Sequence, residues 1–309
     1  MQWGHIKTLF ILSFLVLNIY LLVQFVERQQ NSAEMGVLES SNENVSYEEL
    51  FEQENITISA ELSQDLSETN YINVSEKKFT DEEVGQLNNI DGLDATLIDD
   101  NFILAQFERP LSLPANLTKD NISDLVAPYL LYPEQYTYWV WDEESNIFMF
   151  FQQKDNKPIY FNQNALLLFY VNDNDEITHY TQTMLGDAEQ QGNTEEIISP
   201  IKAIGSLYDR GSLTQDENVS DVSLGYLSRI ESQVFAPTWK VTINEDEIYF
   251  VNAIEGLVYS EEESVFIQKA IINNLDIIRL LPEENDMKAP AVVVLNQKLD
   301  SEENRSELE

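Results

Sequence analysis

The chain has no cysteine and only two histidines among its 309 residues. This excludes disulfides, thiol nucleophiles and cysteine-ligated metals, and it leaves zinc hydrolysis and Cys–His catalysis without their components. Basic residues are also scarce. Seventeen Lys+Arg face 55 Asp+Glu, for a net charge of −38. Binding a phosphate backbone requires clustered cations, so nucleic acid is excluded as a partner. The ten glycines form no phosphate-binding loop, and no serine lies in a nucleophile elbow. Apolar residues are plentiful, at 43% hydrophobic and 11% aromatic, which fits a folded body rather than an acidic disordered chain. No catalytic residue, metal ligand or cofactor site is assigned.

The acid is unevenly placed. Residues 1–26 contain no Asp or Glu, and Lys7 is their sole formal side-chain charge, so the remaining chain carries −39. Thr8–Val26 is a run of 19 uncharged residues, TLFILSFLVLNIYLLVQFV. At about 1.5 Å of rise per residue, a helix of this length spans roughly 28 Å, close to a hydrocarbon core of about 30 Å. The stretch exceeds a usual signal-peptide core, and Asn31-Ser32-Ala33 is a poor cleavage site. Lys7 and His5 mark the short N-terminal side, while Glu27 and Arg28 nearly cancel. The expectation is a single membrane helix over residues 8–26, with residues 1–7 cytoplasmic and residues 27–309 outside the cell membrane. Ser13, Tyr20 and Gln24 fall on one stripe of that helix, with Asn18 off it. Polar side chains in lipid favour helix–helix hydrogen bonds, so these four are candidate contacts to a partner helix.

The N-terminal string Met1-Gln2-Trp3-Gly4-His5-Ile6-Lys7-Thr8-Leu9-Phe10, followed by Phe14-Leu15-Val16-Leu17-Asn18-Ile19-Tyr20-Leu21, resembles the amino terminus of the YycI family. The similarity runs more loosely to about residue 285 and strengthens at Val234-Phe235-Ala236-Pro237-Thr238-Trp239-Lys240-Val241. The resemblance implies a regulator of the YycFG (WalRK) two-component system in low-GC Gram-positive bacteria. Its implied partners are the sensor histidine kinase YycG (WalK) and a YycH-like membrane protein. Its implied output is control of cell-wall metabolism, without catalysis by the chain itself.

Within the body, residues 27–43 read as an acidic stalk. Two α+β subdomains with antiparallel sheets are expected at residues 44–162 and 163–285, followed by an acidic disordered tail at 286–309. Ser46-Tyr47-Glu48-Glu49 and Thr80-Asp81-Glu82-Glu83 are capping boxes that open helices. The apolar spacing of Ile122, Leu125, Val126 and Tyr129 predicts a helix over 120–131. Strands follow at 136–141, 146–152 and 158–161, then a hairpin of 165–171 with 177–184. A second helix over 196–208 precedes strands at 222–230, 238–243 and 248–254. Helix followed by three strands thus occurs twice. The last two strands resemble the closing hairpin of PepSY-type domains, which matches a YycH-like or PepSY-like architecture.

His179 is the only histidine of the body, in a strand where a structural role is the default. Asp173, Asp175 and Glu176 crowd oxygens as a calcium site would, but lack the glycine and glutamate spacing of an EF-hand and read as a solvated hairpin turn. The aromatic run containing Tyr136, Tyr138, Trp139 and Trp141 alternates, so one face is expected to fill core and the other to offer a protein-binding surface. Two other function classes stay open: an extracytoplasmic carboxylate-based wall hydrolase, and a passive binder of wall ligands or cations.

Overall fold

A computed structural model of the chain describes residues 46–62, 69–228 and 233–306, with isolated positions at Lys7, Phe14 and Leu15. The expected membrane helix, the stalk, and Ser13, Asn18, Tyr20 and Gln24 lie outside the described residues. Among the described residues, no helix is long and apolar enough to cross a membrane. The chain forms two units, Met1–Gln53 and Glu54–Glu309. In the first, helix α1 (Tyr47–Gln53) starts where the Ser46 hydroxyl accepts a hydrogen bond from the Glu49 amide at 3.3 Å. The Tyr47 and Phe51 rings stack one turn apart along it.

The second unit begins with β1 (Thr57–Ile58), β2 (Thr69–Glu76) and α2 (Asp81–Leu87). Next come β3 (Leu93–Ile98), β4 (Phe102–Ser112), α3 (Lys119–Val126), β5 (Tyr136–Asp142), β6 (Ile147–Lys154) and β7 (Lys157–Tyr160). The chain continues through β8 (Leu166–Val171), β9 (Glu176–Thr183), β10 (Leu185–Glu195) and α4 (Pro200–Arg210). It ends with β11 (Asn218–Ser228), β12 (Val234–Ile243), β13 (Glu247–Asn252), β14 (Val258–Tyr259), α5 (Glu263–Ile278) and α6 (Lys288–Ser306).

Local chemistry explains most of these limits. At α2 the capping box is complete: Thr80 Oγ1 accepts from the Glu83 amide, and Glu83 accepts from the Thr80 amide at 2.7 Å. Helix α4 starts at Pro200 rather than near residue 196, because the Ile198 amide is committed to the Ala253 carbonyl. Proline, lacking an amide hydrogen, then fills the first turn where no donor is needed. Residues 93–112 form two strands. Asp99 and Asp100 both take positive φ and make the tight turn between β3 and β4. Asp155–Asn156 and Asn244–Glu245 do the same between β6 and β7 and between β12 and β13.

The strands join in the order β10-β2-β12-β11-β7-β6-β8-β9-β4-β3, with β1 added to β11, β5 to β6, β13 to β12 and β14 to β13. All pairings are antiparallel except β1–β11 and β7–β11. Strand β7 connects the two sectors. Lys157–Pro158 pair with the end of β6, and Ile159–Tyr160 pair with Tyr226–Leu227. The fit there is close: a Cβ on Gly225 would lie 2.3 Å from the Tyr160 ring and 2.6 Å from the Pro158 carbonyl. Pairing crosses the expected join near residue 163, since β8 and β9 sit among β6 and β4, and β2 lies between β10 and β12.

Ile147–Phe151 of β6 and every residue of β8 are apolar because both of their faces are covered. Ile147, Met149, Phe151, Leu166, Leu168 and Tyr170 face α5 and α6, meeting Ile267, Ile271, Leu275 and Leu295. Phe148, Phe150, Leu167 and Phe169 face the other way, towards Leu87 of α2 and Ile122 and Val126 of α3. The tail expected to be disordered is therefore corrected: Lys288–Ser306 is helical. Ala291 and Leu295 are one turn apart and fully buried, so this segment completes the core despite its acidic end.

Candidate functional site

The aromatic strand β5 distributes its rings over both faces. Tyr136 is buried and donates its hydroxyl to the Thr183 carbonyl at 2.6 Å, and burial raises its phenol pKa. It therefore belongs to the core and not to the binding surface expected of it. Tyr138 is half-buried, edge-on to Phe150 at 5.5 Å. A bulge between Tyr138 and Val140 shifts the register. Trp139 packs on the opposite side against Phe151 and Tyr160, at 5.0 and 5.5 Å between ring centres. Its indole nitrogen donates to Glu263 at 2.6 Å, and the Lys240 ammonium stands 5.4 Å over the ring. Trp141 lies on Phe148 with centres 3.8 Å apart. Half-buried Tyr138, Trp139 and Trp141 thus retain some exposed ring surface, but no single outward aromatic face joins them.

Beneath α5 lies a polar seam in the core. Asn274 donates to the Tyr170 hydroxyl and to Thr181 Oγ1, both at 2.9 Å. His179, two residues from Thr181 on β9, is 4% exposed, and its Nδ1 lies 3.0 Å from Thr178 Oγ1. Its Nε2 is buried with no hydrogen-bond partner among the described residues, and burial lowers the imidazole pKa to about 4. The imidazole is therefore held neutral and shielded from solvent. On α6, Lys298 donates to the Val171 carbonyl at 2.5 Å. Burial lowers its pKa to about 8, against the opposing pull of Asp173 and Asp142. The turn carrying Asp173 and Asp175 is held by Asn172, whose side-chain oxygen accepts from the amides of Asn174 and Glu176. No three His, Cys, Asp or Glu side chains among the described residues converge as a metal site.

A cleft opens where β12 changes partners along one edge. Thr238–Ile243 pair with β13, whereas Val234–Phe235 pair with β2. Between these two neighbours lies a space of about 200 Å³. Leu227, Val234 and Ala236 form its apolar part; Tyr71, Tyr259, Thr238, Asn252 and Glu255 supply the rest. Asn252 sets the shape of one wall. Its side-chain oxygen accepts from the Ile254 and Glu255 amides at 2.9 Å each, and Gly256 closes the turn at φ 67°. Glu255 accepts from the Tyr71 hydroxyl at 3.3 Å. Burial raises the Tyr71 pKa, and the negative charges of Glu255 and Glu195 add to the shift. Sequence reasoning missed this cleft, although it marked Val234–Val241 and the strand after it.

Comparison of the sequence with protein families matches residues 36–254 to the family described as YycI protein. The chain belongs to the YycI family. This is a family of regulators of the YycFG system, and the matched region runs from before α1 to just past β13. Cleft residues Glu255 and Tyr259, and helices α5 and α6, lie beyond the region matched to YycI. A search of curated proteins returned no match. Among solved structures, one similar chain is an uncharacterized protein from Eubacterium rectale ATCC 33656. It has 12% identity and a TM-score of 0.38, and the alignment covers 67% of this chain and 91% of that one. Another is YycH from Bacillus subtilis, with 14% identity and a TM-score of 0.34, covering 59% of this chain and 51% of YycH.

Proposed function

We propose that this YycI-family chain is a non-catalytic regulator, anchored in the cell membrane by residues 8–26, that modulates the sensor histidine kinase of a YycFG-type system. The observation that carries the reading is the family match over residues 36–254. The N-terminus lies in the cytoplasm and the body outside, in keeping with Lys7 before the apolar run and the −39 after it. Contacts arise at two levels. Ser13, Asn18, Tyr20 and Gln24 offer hydrogen bonds to a partner helix, and the external body meets a YycH-like protein or the kinase ectodomain. Such contacts shift kinase output only where they are stronger in one kinase state than in the other.

The test uses the full chain in membranes. Affinity capture is expected to recover a histidine kinase and a YycH-like protein. Replacing Thr8–Val26 with an unrelated membrane helix is expected to change kinase phosphorylation while leaving the chain in the membrane. Capture without either partner, together with unchanged phosphorylation, refutes the reading.

A further inference from the structure

We propose that the cleft between β2 and β13 receives the basic side chain of a partner polypeptide. The inference goes beyond kinase regulation and does not depend on it.

Size is the first argument. At about 200 Å³ the space falls below the roughly 300–1,000 Å³ of ordinary small-molecule pockets, so it suits one side chain rather than a cofactor. Its chemistry is the second. Leu227, Val234 and Ala236 can cover a methylene stem, as lysine and arginine stems are covered elsewhere on protein surfaces. The same space is lined by the Tyr71 and Tyr259 side chains and by Glu255. Aromatic faces and a carboxylate together stabilise an organic cation.

The third argument is that Glu255 is exposed and, among the described residues, forms no salt bridge. It is nonetheless fixed, through its own amide on Asn252 and its carboxylate on the Tyr71 hydroxyl. A held carboxylate beside apolar surface is prepared for a cation that none of the described residues supplies. A net charge of −38 would concentrate basic segments near the surface, leaving the cleft to select among them.

The experiment uses the full chain in detergent and two fluorescein-labelled peptides. One is Gly-Ser-Arg-Ser-Gly; the other replaces arginine with uncharged citrulline. Binding is read by fluorescence polarisation at 150 and 500 mM salt. The arginine peptide is expected to bind at least tenfold more tightly at both salt concentrations. Glu255→Gln is expected to remove that preference, whereas Asp94→Asn, an exposed acid on β3, leaves it intact. Tyr71→Phe, which keeps the ring but releases the carboxylate, is expected to reduce it, and an unchanged preference would overturn the role given to the fixed carboxylate. Equal binding of the two peptides, or equal losses in Glu255→Gln and Asp94→Asn, overturns the proposal in favour of a diffuse acidic field. Displacement of the peptide by free arginine amide at the same affinity overturns the polypeptide part and leaves a small-cation site.

Discussion

His179 makes the stability of this protein depend on pH in a direction that the structure sets. Its imidazole is buried with Nε2 unpaired among the described residues, so the folded state resists protonation and the pKa falls from 6.5 to about 4. Between those two values the unfolded chain binds more protons than the folded chain. Stability from this group is therefore complete above pH 6.5 and is lost as the pH falls towards 4. With each pH unit worth a little over 1 kcal/mol, the loss is about 1 kcal/mol at pH 5.5 and about 2 to 3 kcal/mol at pH 4.5. Many carboxylates titrate in the same range, so the wild type alone cannot isolate the effect. The informative quantity is the difference between wild type and His179→Gln, measured by urea unfolding at pH 7.5, 6.5, 5.5 and 4.5. Glutamine carries no titrating group, and the variant is expected to be less stable at pH 7.5. The gap should then narrow by about 2 to 3 kcal/mol by pH 4.5. Parallel stability curves for the two proteins would refute the reasoning and place His179 in contact with water or an unseen acceptor.

Other sites give sharper or simpler readouts. Gly225→Ala places a methyl group 2.3 Å from the Tyr160 ring and 2.6 Å from a backbone carbonyl. It is expected to lower stability by about 2 kcal/mol or more in urea unfolding, and a neutral result would mean that β7 and β11 do not meet as described. Asn274→Ala removes the donor shared by Tyr170 and Thr181, with an expected loss of about 2 to 4 kcal/mol including the cavity; a loss under about 0.5 kcal/mol would place α5 elsewhere. Lys298 has a folded pKa lowered from 10.5 to about 8, so wild-type stability should rise between pH 8 and 10.5 relative to Lys298→Met. Chemical unfolding across that range checks the sign, and an opposite slope would count against burial of the ammonium.

Much of the body was legible where local chemistry decides structure. The Thr80 capping box and the alternating strands act over a few residues, so neighbours in sequence suffice to predict them, whereas the Asp99–Asp100 turn splits a stretch that alternation alone runs together. The runs Ile147–Phe151 and Leu166–Val171 announce strands but do not say which side is covered, because both sides are. Helix α6 was missed for a related reason. Its acidic second half looks like a solvated tail, whereas its place is decided by Ala291 and Leu295 meeting residues distant in sequence. Trp139 and Tyr136 could not be assigned their environments until the bulge in β5 was seen. The cleft was invisible for the strongest reason: Tyr71 and Glu255 are 184 residues apart and meet only through the arrangement of β2, β12 and β13.

The scarcity of basic residues gives the cations that remain a structural meaning. Lys240 is held between Asp221 and the Trp139 ring, Lys77 meets Glu83, and Lys298 is buried against a carbonyl. Each secures a join between elements rather than merely balancing charge. A surface this acidic attracts almost any cation, but that attraction is long-ranged and weakened by salt, with a screening length of about 8 Å at physiological ionic strength. Discrimination among basic partners therefore cannot come from the net charge. It requires a place where a carboxylate is fixed and set beside apolar surface that measures the stem behind the charge. Glu255 at the split in the sheet meets those conditions, so a selective response to basic segments should fail first with changes at that residue and only later with changes in overall charge.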